Sequence, residues 1–507
     1  MKTYPDRAAF LAAYDEGRPQ VLWTRLVSDL ETPVSAMLKL GRGRPNAFLL
    51  ESVTGGSVRG RYSLIGLKPD LIWRSKGTKA EVNRNALADT TRFEPCAEPP
   101  LKALASLLEE SRIDLPAGLP PMSAGLFGYL GYDMVRLMER LPDANPDELG
   151  LHDAVLIRPT VMAIFDGIEN VFTLVTPVRP EAGVDAETAH TRAAERLAEA
   201  VADLDEPIPY GHEDMGDLGT LPAPVSNTTR AEYHDIVRRA KEYIAAGDIF
   251  QVVPSQRFSM PFALPPFALY RALRRINPSP FLFFLDFEGV SVAGSSPEIL
   301  VRLRDDTVTI RPIAGTRRRG RDAAEDKELA ADLLSDPKEL AEHLMLLDLG
   351  RNDVGRVAQV GSVTVTERYT IEHYSHVMHI VSNVEGRLDP RFTAIDALVG
   401  GFPAGTVSGA PKVRAMEIID ELEKTRRGIY GGCIGYFAAN GTMDTCIALR
   451  TAVIKDGTMY VQAGGGVVAD SDPEAEYQET VNKAKALFKA AEEAVRFAQE
   501  RREAGNL

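Results

Sequence analysis

"GYFAANGTMDTCIALRTAVIKDGTMYVQAGGG", residues Gly435 to Gly466, sets two turn dipeptides, Asn440-Gly441 and Asp456-Gly457, between alternating apolar runs. Asn-Gly and Asp-Gly accept the positive φ that a tight hairpin demands, so the stretch predicts two hairpins and an antiparallel sheet. Helical patterns flank it on both sides. The fold class is therefore α+β.

Upstream, Thr229 and Glu232 form a capping-box signature for a helix that reaches Ala246 and stops at Gly247, and the strand GDIFQVVPSQRF follows. Between Glu206 and Asn227 the pattern lapses into a polar stretch rich in Pro and Gly, which has the composition of a linker. A boundary there gives an N-terminal lobe over 1–225 and a second lobe over 226–507. The first lobe mixes β-like runs (VLWTRLV, NAFLLESV, RYSLIGL, VLIRPTVMAIF, ENVFTLVTPV) with helical ones (LKALASLLEESR, ETAHTRAAERLAEAVADL).

A length of 507 residues exceeds what one simple core organises, which agrees with two lobes. No run approaches the ~20 apolar residues that cross a bilayer, and the N-terminus MKTYPDRAAFLAAYDEG carries acids early and does not read as a signal peptide. A cytoplasmic protein without a membrane role is expected. Cys96, Cys433 and Cys446 lack CxxC spacing, which argues for reduced, buried thiols rather than disulfides or zinc. The net charge of -14 opposes polyanion binding, so the arginine-rich stretch RPIAGTRRRGR (Arg311 to Arg321) reads as an ion-paired strand end rather than a nucleic-acid patch.

Two segments share one plan. "SDPKELAEHL" (Ser335 to Leu344) and "SDPEAEYQET" (Ser471 to Thr480) each offer Asp as N-cap and Pro at the first helical position. Glu339 and Glu342 then project from one helical face, as do Glu476 and Glu479. Two facing carboxylate pairs suit a hard cation such as Mg²⁺, whereas acids in a first turn also complement the helix dipole in water. The glycine clusters "GTVSGAPK" (Gly405 to Lys412) and "QAGGGVV" can present backbone N–H groups to an anion or simply make turns; neither is a Walker A motif.

In order along the chain, "SSPEIL", "RPIAGTRRRG", "KELAEHLMLLDLGRNDVGR", "GTVSGAPK", "YGGCIGYF", "DTCIALRT", "QAGGGVV" and "EYQETVNKAKA" together resemble the chorismate-utilising enzymes, most closely the anthranilate-forming branch; "FLLES" and "RYSLIG" extend the match into the first lobe. The resemblance implies two β-rich lobes with surrounding helices packed around one active site. It makes Glu342 and Glu479 direct Mg²⁺ ligands with Glu339 and Glu476 beside them, and Thr406, Tyr430, Arg450, Lys483 and the backbone at Gly464 and Gly466 the grip on the carboxylates of chorismate. Glu298 matches the acid that protonates the departing C4 hydroxyl, and His379 matches a histidine near the reacting ring.

Ala314 stands where enzymes that make aminodeoxychorismate carry a nucleophilic lysine, and Gln251 where isochorismate and salicylate synthases carry a lysine that activates water. Neither side chain can do that work, so ammonia is the expected nucleophile. The implied reaction converts chorismate and ammonia to anthranilate and pyruvate, with ammonia supplied from glutamine by a separate amidotransferase subunit, because no glutaminase segment follows. The resemblance also implies feedback inhibition by tryptophan in a pocket built from Ser52 and from Asn277, Pro278, Ser279, Pro280, Phe281 and Leu282, and an assembly that is a heterotetramer or a homodimer of this subunit. Phe281 and Leu282 replace the usual Tyr and Met, and Gly465 replaces the usual Ala. Rival readings are an aminodeoxychorismate synthase and a non-enzymatic phosphate- or RNA-binding protein.

Overall fold

The computed structural model describes residues 1–52, 60–209, 221–374 and 377–505. Its strands join into one extensive antiparallel network with a separate two-stranded ribbon, Gln251–Val252 against Gly409–Ala410. The two expected hairpins are present. Cys433–Ala438 pairs with Met443–Ile447, and Thr451–Lys455 pairs with Thr458–Gly464. Asp456 and Gly457 take φ of 50° and 70°, the left-handed pair that a two-residue turn between twisted strands requires.

The network runs across the position expected to divide the lobes. Ala47–Glu51 pairs with Phe281–Phe287, and Gly125–Leu130 pairs with Cys433–Ala438. Residues 210–220 of the expected linker lie outside the described residues, and Val225–Ser226 form a short strand against Phe258 and Ser259. The expected strand GDIFQVVPSQRF is two, Gln251–Val252 and Ser255–Pro261, interrupted at Val253 and Pro254. Pro254 has no N–H for a ladder, which accounts for the break. Cys433 and Cys446 are buried free thiols, but Cys96 is only half-buried.

Ala154–Asp166 is buried at every position; it pairs with Tyr62–Lys76, Gly125–Leu130 and Val171–Val178, and helix Ala186–Asp205 packs against it. An arginine in such a strand must be paired. Arg158 bonds Asp70 at 2.8 and 3.0 Å and the Ser111 hydroxyl at 3.1 Å.

The helices that matter most for the site are those expected from the SDP segments. Pro337–Gly355 starts at Asp336, whose carboxylate accepts the Lys338 and Glu339 amides, and Pro473–Gly505 starts with Asp472 accepting the Ala475 amide. The capping box at Thr229 and Glu232 opens the helix Arg230–Ala245, and Gly247 follows at φ 85°. Helix Pro473–Gly505 packs on that helix, on Pro266–Ile276 and on strand Thr458–Gly464.

Candidate active site

Glu298 sits between the strands Val290–Ser296 and Ile299–Arg304 and is 6% exposed. Burial pushes its carboxyl up to about 8, although the Thr406 hydroxyl, 3.3 Å away, and the Ile313 backbone amide pull the other way. It is therefore mostly protonated at neutral pH, the state of a proton donor. A cavity of about 30 Å³ beside it, walled by Leu346, Leu349 and Gly405, has room for a water-sized molecule.

His379 lies on strand Val377–Arg387, with Nδ1 3.0 Å from the Gly315 carbonyl and 3.1 Å from the Thr316 hydroxyl. A carbonyl only accepts, so Nδ1 carries the hydrogen and Nε2 the lone pair. Burial lowers the ring to about 4, which keeps it neutral. Arg450, half-buried and at φ 47°, has its charge disfavoured by desolvation. Among the described residues its guanidinium meets no hydrogen-bond or ion-pair partner, and the groups that feel it are the Tyr374 hydroxyl and His379. A guanidinium fork with unanswered donors has the chemistry to bind a carboxylate.

The glycine run is shaped by close approach. A Cβ on Gly464 would lie 2.8 Å from the Tyr430 hydroxyl and 2.9 Å from the Pro254 carbonyl oxygen; on Gly466 it would lie 2.6 Å from Gln251 Nε2. Lys483, one turn beyond Glu479, donates to the Gly464 carbonyl at 2.9 Å and pairs with Glu479 at 2.7 Å. These contacts draw Tyr430, Gly464, Gly466, Lys483 and Gln251 into one wall.

Gln251 also donates to Glu342 at 3.1 Å. Glu342 is raised by burial, with Glu339 and Glu479 adding repulsion, and Glu476 is raised by burial, with Glu479 adding to it. The two helical carboxylate pairs thus feel one another. Arg317 bonds Glu339 at 3.0 Å, Ser471 bonds one oxygen of Glu476 at 2.7 Å, and the other oxygen of Glu476 is buried without a partner among the described residues. Among the described residues no three acidic, histidine or cysteine side chains stand close enough to hold a metal between them. The donor chemistry nonetheless fits a hard cation, being all oxygen, mutually repelling and incompletely satisfied.

Ala314 is buried and presents only a methyl group. The arginines that follow it are answered by acids: Arg317 by Asp332, Asp336 and Glu339, Arg318 by Glu325, and Arg319 by Asp326.

The expected regulatory segments also meet, and they do so close to these groups in the ladder: Phe281 and Leu282 pair with Ser296 and Ser295, and the Ser295 amide donates to the Arg450 carbonyl at 3.2 Å. Leu282 pairs with Glu51, next to Ser52, and the Ser295 hydroxyl donates to the Asn277 carbonyl at 2.5 Å. Leu282 and Ser279 are buried in the packing, while Asn277, Pro278, Pro280 and Phe281 keep partial exposure. Sequence reasoning missed the buried pair Glu423 and Arg427 and the ring of Tyr374 beside His379, at 5.3 Å between centroids. The i,i+4 spacing of Glu423 and Arg427 was the available signal.

Residues 48–489 match the family described as chorismate binding enzyme. The chain is 60% identical to anthranilate synthase component 1 of Cereibacter sphaeroides over 98% of its own length and 99% of the relative's, and 50% identical to that of Thermus thermophilus over 92% and 96%. Anthranilate synthase component I of Streptococcus pneumoniae superposes with a TM-score of 0.73 at 37% identity, covering 92% of this chain and 99% of that one. The menaquinone-specific isochorismate synthase of Escherichia coli shares the fold at a TM-score of 0.69 and 20% identity, covering 96% and 98%. The chain belongs to the chorismate binding enzyme family and, within it, to the anthranilate synthase component 1 proteins.

Proposed function

We propose that this chain turns chorismate and ammonia into anthranilate, pyruvate and water. The observation that carries the reading is a buried Glu298, its carboxyl pushed up by burial, and the Arg450 guanidinium, which has no partner among the described residues, with Tyr374 feeling both. Arg450, Thr406, Tyr430, Lys483 and the amides at Gly464 and Gly466 hold the substrate's carboxylates. Ammonia bonds to C2 while the C4–O bond breaks, and Glu298 gives its proton to the departing hydroxyl, which leaves as water. Loss of the C2 proton and of the enolpyruvyl group as pyruvate then makes the ring aromatic. Neutral His379 faces the ring as a hydrogen-bonding group.

Glu342 and Glu479, with Glu339 and Glu476 beside them, would hold Mg²⁺, which when bound supplies positive charge to the substrate's ring carboxylate. The component 1 name of the relatives supports a glutamine amidotransferase as the ammonia-supplying partner. Tryptophan inhibition through Ser52 and residues 277–282, assembly as a heterotetramer or homodimer, and a cytoplasmic location belong to the same reading. No described helix is long and apolar enough to cross a membrane.

The buried methyl of Ala314 disfavours aminodeoxychorismate formation through a covalent lysine, and the paired arginines disfavour RNA binding. Purified protein given chorismate, Mg²⁺ and ammonium should form anthranilate and pyruvate in equal amounts, read by mass spectrometry. Aminodeoxychorismate or salicylate as the main product would overturn the proposal.

A further inference from the structure

Behind the substrate wall, one buried ion pair reaches several of the segments that carry it. The side chains of Arg427 and Glu423 are 2% and 4% exposed. Arg427 donates to the Glu423 carboxylate at 2.6 to 3.2 Å, to the Val407 carbonyl at 2.6 Å and to the Val253 carbonyl at 2.7 Å. One oxygen of Glu423 also accepts the Ser255 amide at 2.8 Å and its hydroxyl at 2.7 Å. The guanidinium lies 4.7 Å from the Tyr132 ring centroid and 5.5 Å from that of Tyr430.

Each anchor adjoins a substrate-side group. Val407 follows Thr406, Val253 lies two residues from Gln251, Ser255 pairs with Gly464 across the ladder, and Tyr430 is touched directly. A buried ion pair is a poor device for stability alone, since well-packed apolar residues in its place often serve as well. What a planar guanidinium adds is direction: several donors at fixed angles hold two carbonyls and a carboxylate in one arrangement. We infer that Arg427, locked by Glu423, is a positioning residue that sets the spacing of the carboxylate-binding wall formed by Thr406, Tyr430 and Gly464. The inference rests on the reading of that wall as the chorismate pocket.

The test uses the full chain with Arg427→Lys and Glu423→Gln. Lysine keeps the charge but cannot serve all three acceptors with the same directions. Near-ultraviolet circular dichroism gives the folded fraction, and chorismate kinetics with ammonium are expressed per folded protein. Arg427→Lys should raise the KM for chorismate at least ~10-fold while kcat falls less than ~3-fold, the split expected when binding geometry loosens. Glu423→Gln should move KM the same way by less. Combining Arg427→Lys with Tyr430→Phe should cost less than the product of the single effects, because one acts through the other.

A KM within ~2-fold of wild type in a folded variant, a loss that vanishes on normalisation, or fully multiplicative effects in the double variant would each overturn the inference. Should Arg427→Lys fail to fold, Glu423→Gln decides alone. A wild type that does not consume chorismate overturns the reading of the pocket instead.

Discussion

Arg427 and Arg450 are two arginines with opposite surroundings. Arg427 has a carboxylate, two carbonyls and two aromatic faces around it. Arg450 has no such partner among the described residues. The same division separates the carboxylates. Glu423 and Asp353 are answered, the latter by Lys412 at 2.8 Å, whereas Glu298 is driven toward its neutral form by burial. Charges that the fold completes hold backbone in place, and charges that it leaves open are the ones the proposed function gives to the substrate.

One substitution applied to both arginines should break or confirm that division, with the largest effect expected of any. Arg450→Met removes the proposed carboxylate receptor and should lower kcat/KM for chorismate by at least ~10³-fold, about 4 kcal/mol. Its thermal midpoint should stay at or above wild type, because no partner is orphaned. Arg427→Met leaves Glu423 buried and unpaired, so it should destabilise the fold by ~3–5 kcal/mol. Calorimetry and steady-state kinetics on both proteins give the answer, and a strongly destabilised Arg450→Met would show that its charge is answered after all.

Glu298 sharpens the comparison from the acid side. Glu298→Gln keeps the shape and loses the proton, so the rate should fall ~10²–10³-fold with KM little changed. The sign of the pH effect follows from the raised carboxyl, because the active form is the protonated one. At constant free ammonia, kcat/KM should hold below pH 8 and decline as pH rises through about 8. A profile that rises through that range would mean that Glu298 works as a base.

Most of this was legible in the chain because local rules and the fold agree. The hairpin dipeptides, the Thr229 capping box and the two Asp-Pro helix starts all lie where periodicity and turn chemistry put them. The carboxylate pairs were visible as i,i+3 spacing, but only the fold brings Glu342 into the field of Glu479, 137 residues later in the chain. No spacing rule encodes that. The Arg427 knot was missed for a related reason, since Val253 and Val407 act through carbonyl oxygens and any residue type offers a carbonyl. The sharing of sheet across position 225 was hidden as well, because composition marks the loop at Glu206 to Asn227 but not which strands pair beyond it.

The smallest effect concerns Glu51 and Ser52, neighbours on opposite sides of the same division. Glu51 is buried and answered: Arg274 grips it at 2.7 and 3.0 Å and the Tyr270 hydroxyl donates to it, which fixes the strand end against helix Pro266–Ile276. Ser52 is half-buried, and one side of it is closed by Gly60, where a Cβ would lie 2.0 Å from the serine oxygen. A phenyl ring at position 52 cannot turn toward Gly60 and must take the remaining space, which the proposed reading gives to tryptophan. Inhibition needs only that tryptophan prefer one arrangement of the two strands over another. Ser52→Phe should therefore raise the tryptophan concentration for half inhibition at least ~10-fold, about 1.4 kcal/mol. Turnover without tryptophan should hold within ~2-fold, because no hydrogen bond among the described residues joins Ser52 to the groups around Glu298. Chorismate consumption measured against tryptophan concentration for both proteins decides it. Equal inhibition of the two would take Ser52 out of the pocket, and a wild type indifferent to tryptophan would show that the half-exposed Phe281 and buried Leu282 do not build one.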